Sequence, residues 1–187
     1  MHRPNLAMMW TRFADVGPMN SGGYPRGTIA DLRRIGDKIG GAVKANFDAG
    51  IKDIEGSPGG FPPHPLGFTN GCATRMSYVL NYDGVHIPQI SGETVTGADK
   101  KNYIFRVRTM DSFLSRTFGK PDIAKGANSV PTDFRGKKGI IAFAVQFSDA
   151  SGHITLWNGE AAVDEAYFTP ETRHGAALLG AKLWICP

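Results

Sequence analysis

At 187 residues, 41% apolar and 20% charged, the chain has the composition of an ordinary globular protein and excludes fibrous or disordered classes. Lys and Arg exceed Asp and Glu by 21 to 17, a net charge of +4. That excess is small and scattered, and no recognition helix or aromatic RNA-binding motif accompanies it, so no nucleic-acid partner is expected.

No stretch of about 18 apolar residues is present, so membrane insertion is not expected either. The first residues, Met1-His2-Arg3-Pro4-Asn5-Leu6, lack the apolar core of a secretory signal. The expectation is synthesis in the cytoplasm and export, if any, by a machine that reads no cleavable leader. Two cysteines, Cys72 and Cys186, do not form a disulfide framework. The length predicts a single domain over 1–187.

In chain order, Thr28 and Asp31 resemble a capping box. Ile29, Leu32, Ile35, Ile39, Val43 and Phe47 follow at spacings of three and four, which predicts an amphipathic helix over 28–47. Gly36, Gly40 and Gly41 interrupt it, at about 1 kcal/mol each relative to alanine, and suggest close approach of another element. Residues 56–69 carry four prolines and predict irregular structure. A helix is expected over 70–81, with Met76, Val79 and Leu80 inward and Asp83-Gly84 as its stop. Tyr103–Val107 reads as a strand. Thr109 is expected to cap a short helix with Met110, Phe113, Leu114 and Phe118 inward, closed by Gly119 and Pro121. The apolar run 139–146 predicts a buried central strand, and 182–186 a further one. Helices first and an antiparallel sheet afterwards make the fold class α+β.

Between 152 and 164 the pattern predicts a hairpin. Asn158-Gly159 is the strongest short-range hairpin signal, since a type I′ turn needs φ > 0 at both central residues. A two-residue loop would place Trp157 opposite Glu160, Thr155 opposite Ala162 and His153 opposite Asp164, with Cβ atoms roughly 5 Å apart. An imidazole facing a carboxylate is what a general base needs from its orienting acid. The ordinary alternative is a solvent-facing ion pair worth under ~1 kcal/mol.

Upstream, Cys72 falls where a glycine-containing loop turns into a helix. There the helix dipole and unpaired N–H groups stabilise a thiolate, and the Cys72 N–H is expected to serve as half of an oxyanion hole. Free cysteine is also among the most buried residue types, which is the competing explanation. Asn70 is read as the helix cap. His64, His86 and His174 lack an acid placed by any local geometry. No zinc-ligand spacing, GxSxG elbow or phosphate loop occurs, so neither metal nor organic cofactor is expected.

Asn70-Gly71-Cys72-Ala73-Thr74-Arg75-Met76-Ser77 with Leu80-Asn81 resembles the nucleophile segment of the fourth family of type VI secretion amidase effectors. Gly152-His153-Ile154-Thr155-Leu156-Trp157-Asn158-Gly159 is similar to that family's histidine segment, and Asp164 falls where its acid is expected. Gly40-Gly41-Ala42-Val43 and Phe118-Gly119-Lys120-Pro121 resemble further family stretches. The resemblance implies a papain-like, NlpC-type fold and catalytic Cys72, His153 and Asp164. It implies a toxin injected into the periplasm of rival bacteria by the type VI apparatus. There it would cleave peptidoglycan stem peptides between D-isoglutamate and meso-diaminopimelate. A cognate immunity protein is expected to occlude the active site. Some relatives carry a cysteine pair just after the histidine; this chain has none there. The other readings left open are a non-catalytic wall-binding module and a thioester-forming acyltransferase on the same fold.

Overall fold

The computed structural model describes residues 2–18, 26–58, 65–147 and 151–187. Its contacts divide the chain into two units, Arg12–Phe105 and Met1–Thr11 with Arg106–Pro187. Helix α1 (Leu6–Val16) crosses the boundary. No described helix is long and apolar enough to cross a membrane.

The first unit is mainly helical: α2 (Arg26–Ile39), α3 (Gly41–Glu55) and α4 (Cys72–Tyr82), with a hairpin of β1 (Thr94–Thr96) and β2 (Asn102–Ile104). Leu32, Ile35, Ile39, Val43, Phe47 and Ile51 form its buried core with Tyr78 and Tyr103. The periodic stripe therefore faces inward as expected, but not as one helix over 28–47. Gly40 and Gly41 take φ of 69° and 60° and break it in two. A Cβ on Gly41 would stand 2.6 Å from the Ala98 nitrogen, so the break is also a close approach of the β1–β2 turn. The Ala98 N–H donates to the Ile39 carbonyl at 3.1 Å, satisfying the end of α2. The first helix starts at Arg26, which places Thr28 inside its first turn instead of at its cap.

Helix α4 starts two residues after the expected 70 and ends one after the expected 81, and Cys72 through Asn81 are all buried, not only its apolar stripe. Several of its polar side chains bond to neighbouring backbone: Arg75 Nε donates to the Val16 carbonyl at 2.7 Å, and Asn81 Nδ2 to Asn102 O at 2.9 Å, whereas the buried Thr74 hydroxyl finds no partner among the described residues. Ser77 Oγ accepts the Ile104 N–H at 2.9 Å. A helix buried on every side needs such partners, because an unpaired polar group there costs ~1–3 kcal/mol.

The second unit is a four-stranded antiparallel sheet in the order β3-β6-β4-β5, with β3 at Ile123–Gly126, β4 at Gly139–Val145, β5 at Gly152–Trp157 and β6 at Leu178–Ile185. Helix α5 (Val107–Phe118) accompanies it. Strand β4 is central and buried, as its apolar run predicts. Strand β6 starts at Leu178, four residues before the expected 182. Helix α5 begins at Val107, so Thr109 lies inside it, and the strand expected through Val107 ends at Ile104. Gly119, with φ 82°, closes α5 as expected.

The expected 152–164 hairpin does not form with its predicted register. Trp157 bridges Ala162, not Glu160, and nothing after Ala162 continues as a strand. Only Gly159 of the turn pair has positive φ, at 102°. Asn158 instead uses its side chain: Oδ1 accepts the N–H groups of Glu160 and Ala161, both at 2.8 Å. That side-chain turn competes with the type I′ turn and widens the loop to four residues. The chain then leaves the strand direction, and Tyr167 and Phe168 pack onto the core around Phe143 and Trp157.

Candidate functional site

On β5, His153 pairs with Phe143 of β4 and is 7% exposed. Although the register differs from expectation, Asp164 still reaches it: Nε2 and Oδ1 are 3.2 Å apart. The widened turn delivers the carboxylate through the irregular segment that follows Ala162. Asp164 Oδ1 also accepts the Glu165 N–H at 2.7 Å, which fixes the orientation of the carboxylate. Both side chains are almost wholly enclosed, at 9% and 7% exposure. In such an enclosed position the attraction of imidazolium and carboxylate is only weakly screened.

Tyr167, three residues after Asp164, lays its ring against the imidazole with centroids 4.7 Å apart. It also meets Phe143 at 6.1 Å and Phe147 at 5.6 Å. One short segment thus holds the imidazole by its edge and by its face. Tyr167 escaped the sequence reading, since no periodicity governs residues 163–176.

In the helical unit, Cys72 is the first residue of α4 and 4% exposed. The approach to it is rigidly set. Asp53 Oδ2 accepts the N–H groups of Leu66 and Gly67, at 2.6 and 3.1 Å, and Phe68 N–H donates to Asn46 O at 2.9 Å. A Cβ on Gly50 would stand 2.1 Å from the Phe68 carbonyl oxygen, so this segment lies directly on the backbone of α3. Asn70 acts as the cap that was expected: its Oδ1 accepts the Cys72 N–H at 3.0 Å. The same bond corrects the oxyanion expectation, because that N–H is turned to Asn70 and not outward to a substrate carbonyl.

Cys186 is as buried as Cys72, and burial pushes its thiol up to about 11, far from reactivity at neutral pH. His86 and His174 are exposed, and His64 lies outside the described residues. Among the described residues no three His, Cys, Asp or Glu side chains converge as metal ligands would.

The model of type VI secretion system amidase effector protein 4 matches residues 68–181, a span that contains Cys72, His153 and Asp164. No curated protein matches. Among solved structures, the chain is 36% identical to the effector of the Tae4–Tai4 effector–immunity complex from Enterobacter cloacae, with 99% of each chain covered and a TM-score of 0.78. It is equally identical to Tae4 from Salmonella typhimurium in complex with the immunity protein Tai4 from Enterobacter cloacae, over 99% of this chain and 100% of that one, with a TM-score of 0.76. The Tae4–Tai4 complex from Salmonella Typhimurium is also 36% identical, over the whole of both chains, with a TM-score of 0.75. By this likeness the chain has the papain-like, NlpC-type α+β fold and belongs to the family of type VI secretion system amidase effector protein 4, hydrolases of amide bonds that are secreted into target cells.

Proposed function

We propose that this chain is a peptidoglycan amidase toxin in which Cys72, His153 and Asp164 act together, with the two units working as one domain. The observation that carries the reading is the enclosed His153–Asp164 contact at 3.2 Å. It leaves Nδ1 as the nitrogen assigned to the thiol. The Cys72 proton passes to His153, and sulfur attacks the carbonyl carbon between D-isoglutamate and meso-diaminopimelate. The carbon–nitrogen bond breaks as His153 returns the proton to the departing amine, leaving a thioester. Water activated by His153 then attacks the thioester, releasing the carboxylate and restoring the thiol. Asp164 holds the ring in one orientation and favours its charged form. The chemistry calls for no metal or organic cofactor.

The site of action is the periplasm of the target cell, where the stem peptides lie, reached through the type VI apparatus. A cognate immunity protein binds over the active site; the solved effector–immunity complexes of the relatives support such a partner. Incubation with purified peptidoglycan, followed by mass spectrometry of the fragments, tests the bond assignment. Release of fragments ending in isoglutamate is expected, and Cys72→Ala should release none. Lysis by periplasmic Cys72→Ala protein would overturn the thiol mechanism.

A further inference from the structure

A cavity of about 390 Å³ opens in the sheet unit, within the range of ~300–1,000 Å³ common for small-ligand sites. It lies on the α5 side of the sheet. Lys182 and Trp184, two apart on β6 and so on one face, bond to α5 at Asp111 and to the Gly119 carbonyl just beyond it. His153 and its register partner Phe143 share the other face, where Tyr167 touches both. Phe143 lines the cavity as well, but His153, Asp164 and Tyr167 do not, so the cavity is distinct from the histidine–aspartate pair.

Its floor consists of strand positions with little or no side chain. Ala124 and Ala142 flank Lys182, and Ala144 stands opposite Gly180. Larger residues at these positions would fill the space toward α5. On the α5 face the charged lining is Arg108 and Lys182 against the single carboxylate of Asp111; Lys125, opposite Ala181, belongs to the other face. Lys182 is matched by Asp111 at 2.9 Å, and Lys125 is paired with Asp133 at 3.3 Å. Arg108 is exposed and has no acidic partner among the described residues. Among the described residues a planar guanidinium thus stands unmatched over an apolar floor.

We infer that this cavity binds the free C-terminal carboxylate of a short peptide, with the carboxylate on Arg108 and a methyl-sized side chain on the alanine floor. A guanidinium fork matches a carboxylate in a bidentate arrangement that a lysine ammonium cannot reproduce. The shallow floor excludes bulky side chains and accepts alanine. In its biological meaning the inference rests on the proposed function: a wall polymer offers many stem peptides with small terminal residues. A site away from the scissile bond would hold one stem while another is cut.

The test uses Cys72→Ala protein, so that no hydrolysis intervenes, titrated with the dipeptide alanyl-alanine as free acid and as C-terminal amide and followed by backbone NMR. The free acid should bind and shift the signals of Arg108, Ala144 and Gly180, and the amide should bind at least about tenfold more weakly. Adding Arg108→Met, which keeps the stem and removes the fork, should weaken the acid about tenfold or more. Adding Ala144→Leu, at an exposed strand position, should abolish binding by filling the floor. Absence of binding, equal affinity for acid and amide, undiminished binding by Arg108→Met, or tighter binding of inorganic phosphate than of the dipeptide would each overturn the inference. Failure of wild-type protein to cut peptidoglycan would instead overturn the proposed function, and the two failures are distinguishable.

Discussion

Replacing Asp164 by asparagine keeps the shape of the side chain and removes its charge. At 3.2 Å and an effective dielectric of about 20, the Coulomb attraction of carboxylate for imidazolium is ~5 kcal/mol. The amide oxygen retains part of the hydrogen bond, so the net loss falls nearer ~1.5–3 kcal/mol, the usual worth of a hydrogen bond to a charged group. At about 1.4 kcal/mol per tenfold in rate, that is a fall of roughly 10- to 150-fold in kcat. The fall would extend toward ~10⁴-fold where the amide also imposes the wrong imidazole tautomer, as in serine-protease triads. The assay is hydrolysis of a soluble stem peptide, with products separated by chromatography and identified by mass. Thermal denaturation by circular dichroism checks that the fold survives. Asp164→Asn protein with a native melting curve and turnover within about twofold of wild type would refute the reasoning and assign the orientation of His153 to another acceptor.

Cys186→Ser should keep activity, and Cys72→Ala protein should take up iodoacetamide only after unfolding, because burial holds the Cys186 thiol in its protonated form; native labelling of that variant would contradict this. Thr155 is fully buried on β5 and its hydroxyl has no partner among the described residues, so Thr155→Val should be neutral or stabilising by ~1 kcal/mol, seen as a rise of about 2–4 °C in Tm. A clear loss of stability would mean that the hydroxyl is satisfied. Burial tends to raise the carboxyl of Asp122, but the Ile185 N–H and the Arg3 guanidinium outweigh it and hold it below the ordinary 3.8. A depressed carboxyl contributes stability that is fully present above the unfolded value and lost as pH falls through the folded one. Chemical denaturation should therefore find Asp122→Asn less stable than wild type at neutral pH, with the gap closing below pH 3.8; a constant gap would exclude this linkage.

Local signals along the chain determined a good deal by themselves. The inward stripe from Leu32 to Phe47, the helix headed by Cys72 with its Asn70 cap, the buried strand at 139–145 and the Gly119 stop all depend on spacing and on short-range bonding, and they stand within a residue or two of where those predict, though the stripe spans two helices instead of one. The juxtaposition of His153 and Asp164 was legible as well, though by an incorrect route. Only tertiary structure decided the rest. Gly40 and Gly41 divide one periodic pattern into two helices because the β1–β2 turn occupies the space a side chain would need, and no window of the sequence contains both partners. Asn158 could serve either a tight turn or its own side-chain turn. The choice fell to the wider turn, which carries residues 163–168 back over the sheet core and lets Tyr167 and Phe168 bury their rings there. That burial is non-local and has no period, so it left no mark on the sequence, yet it brings both Asp164 and Tyr167 to His153.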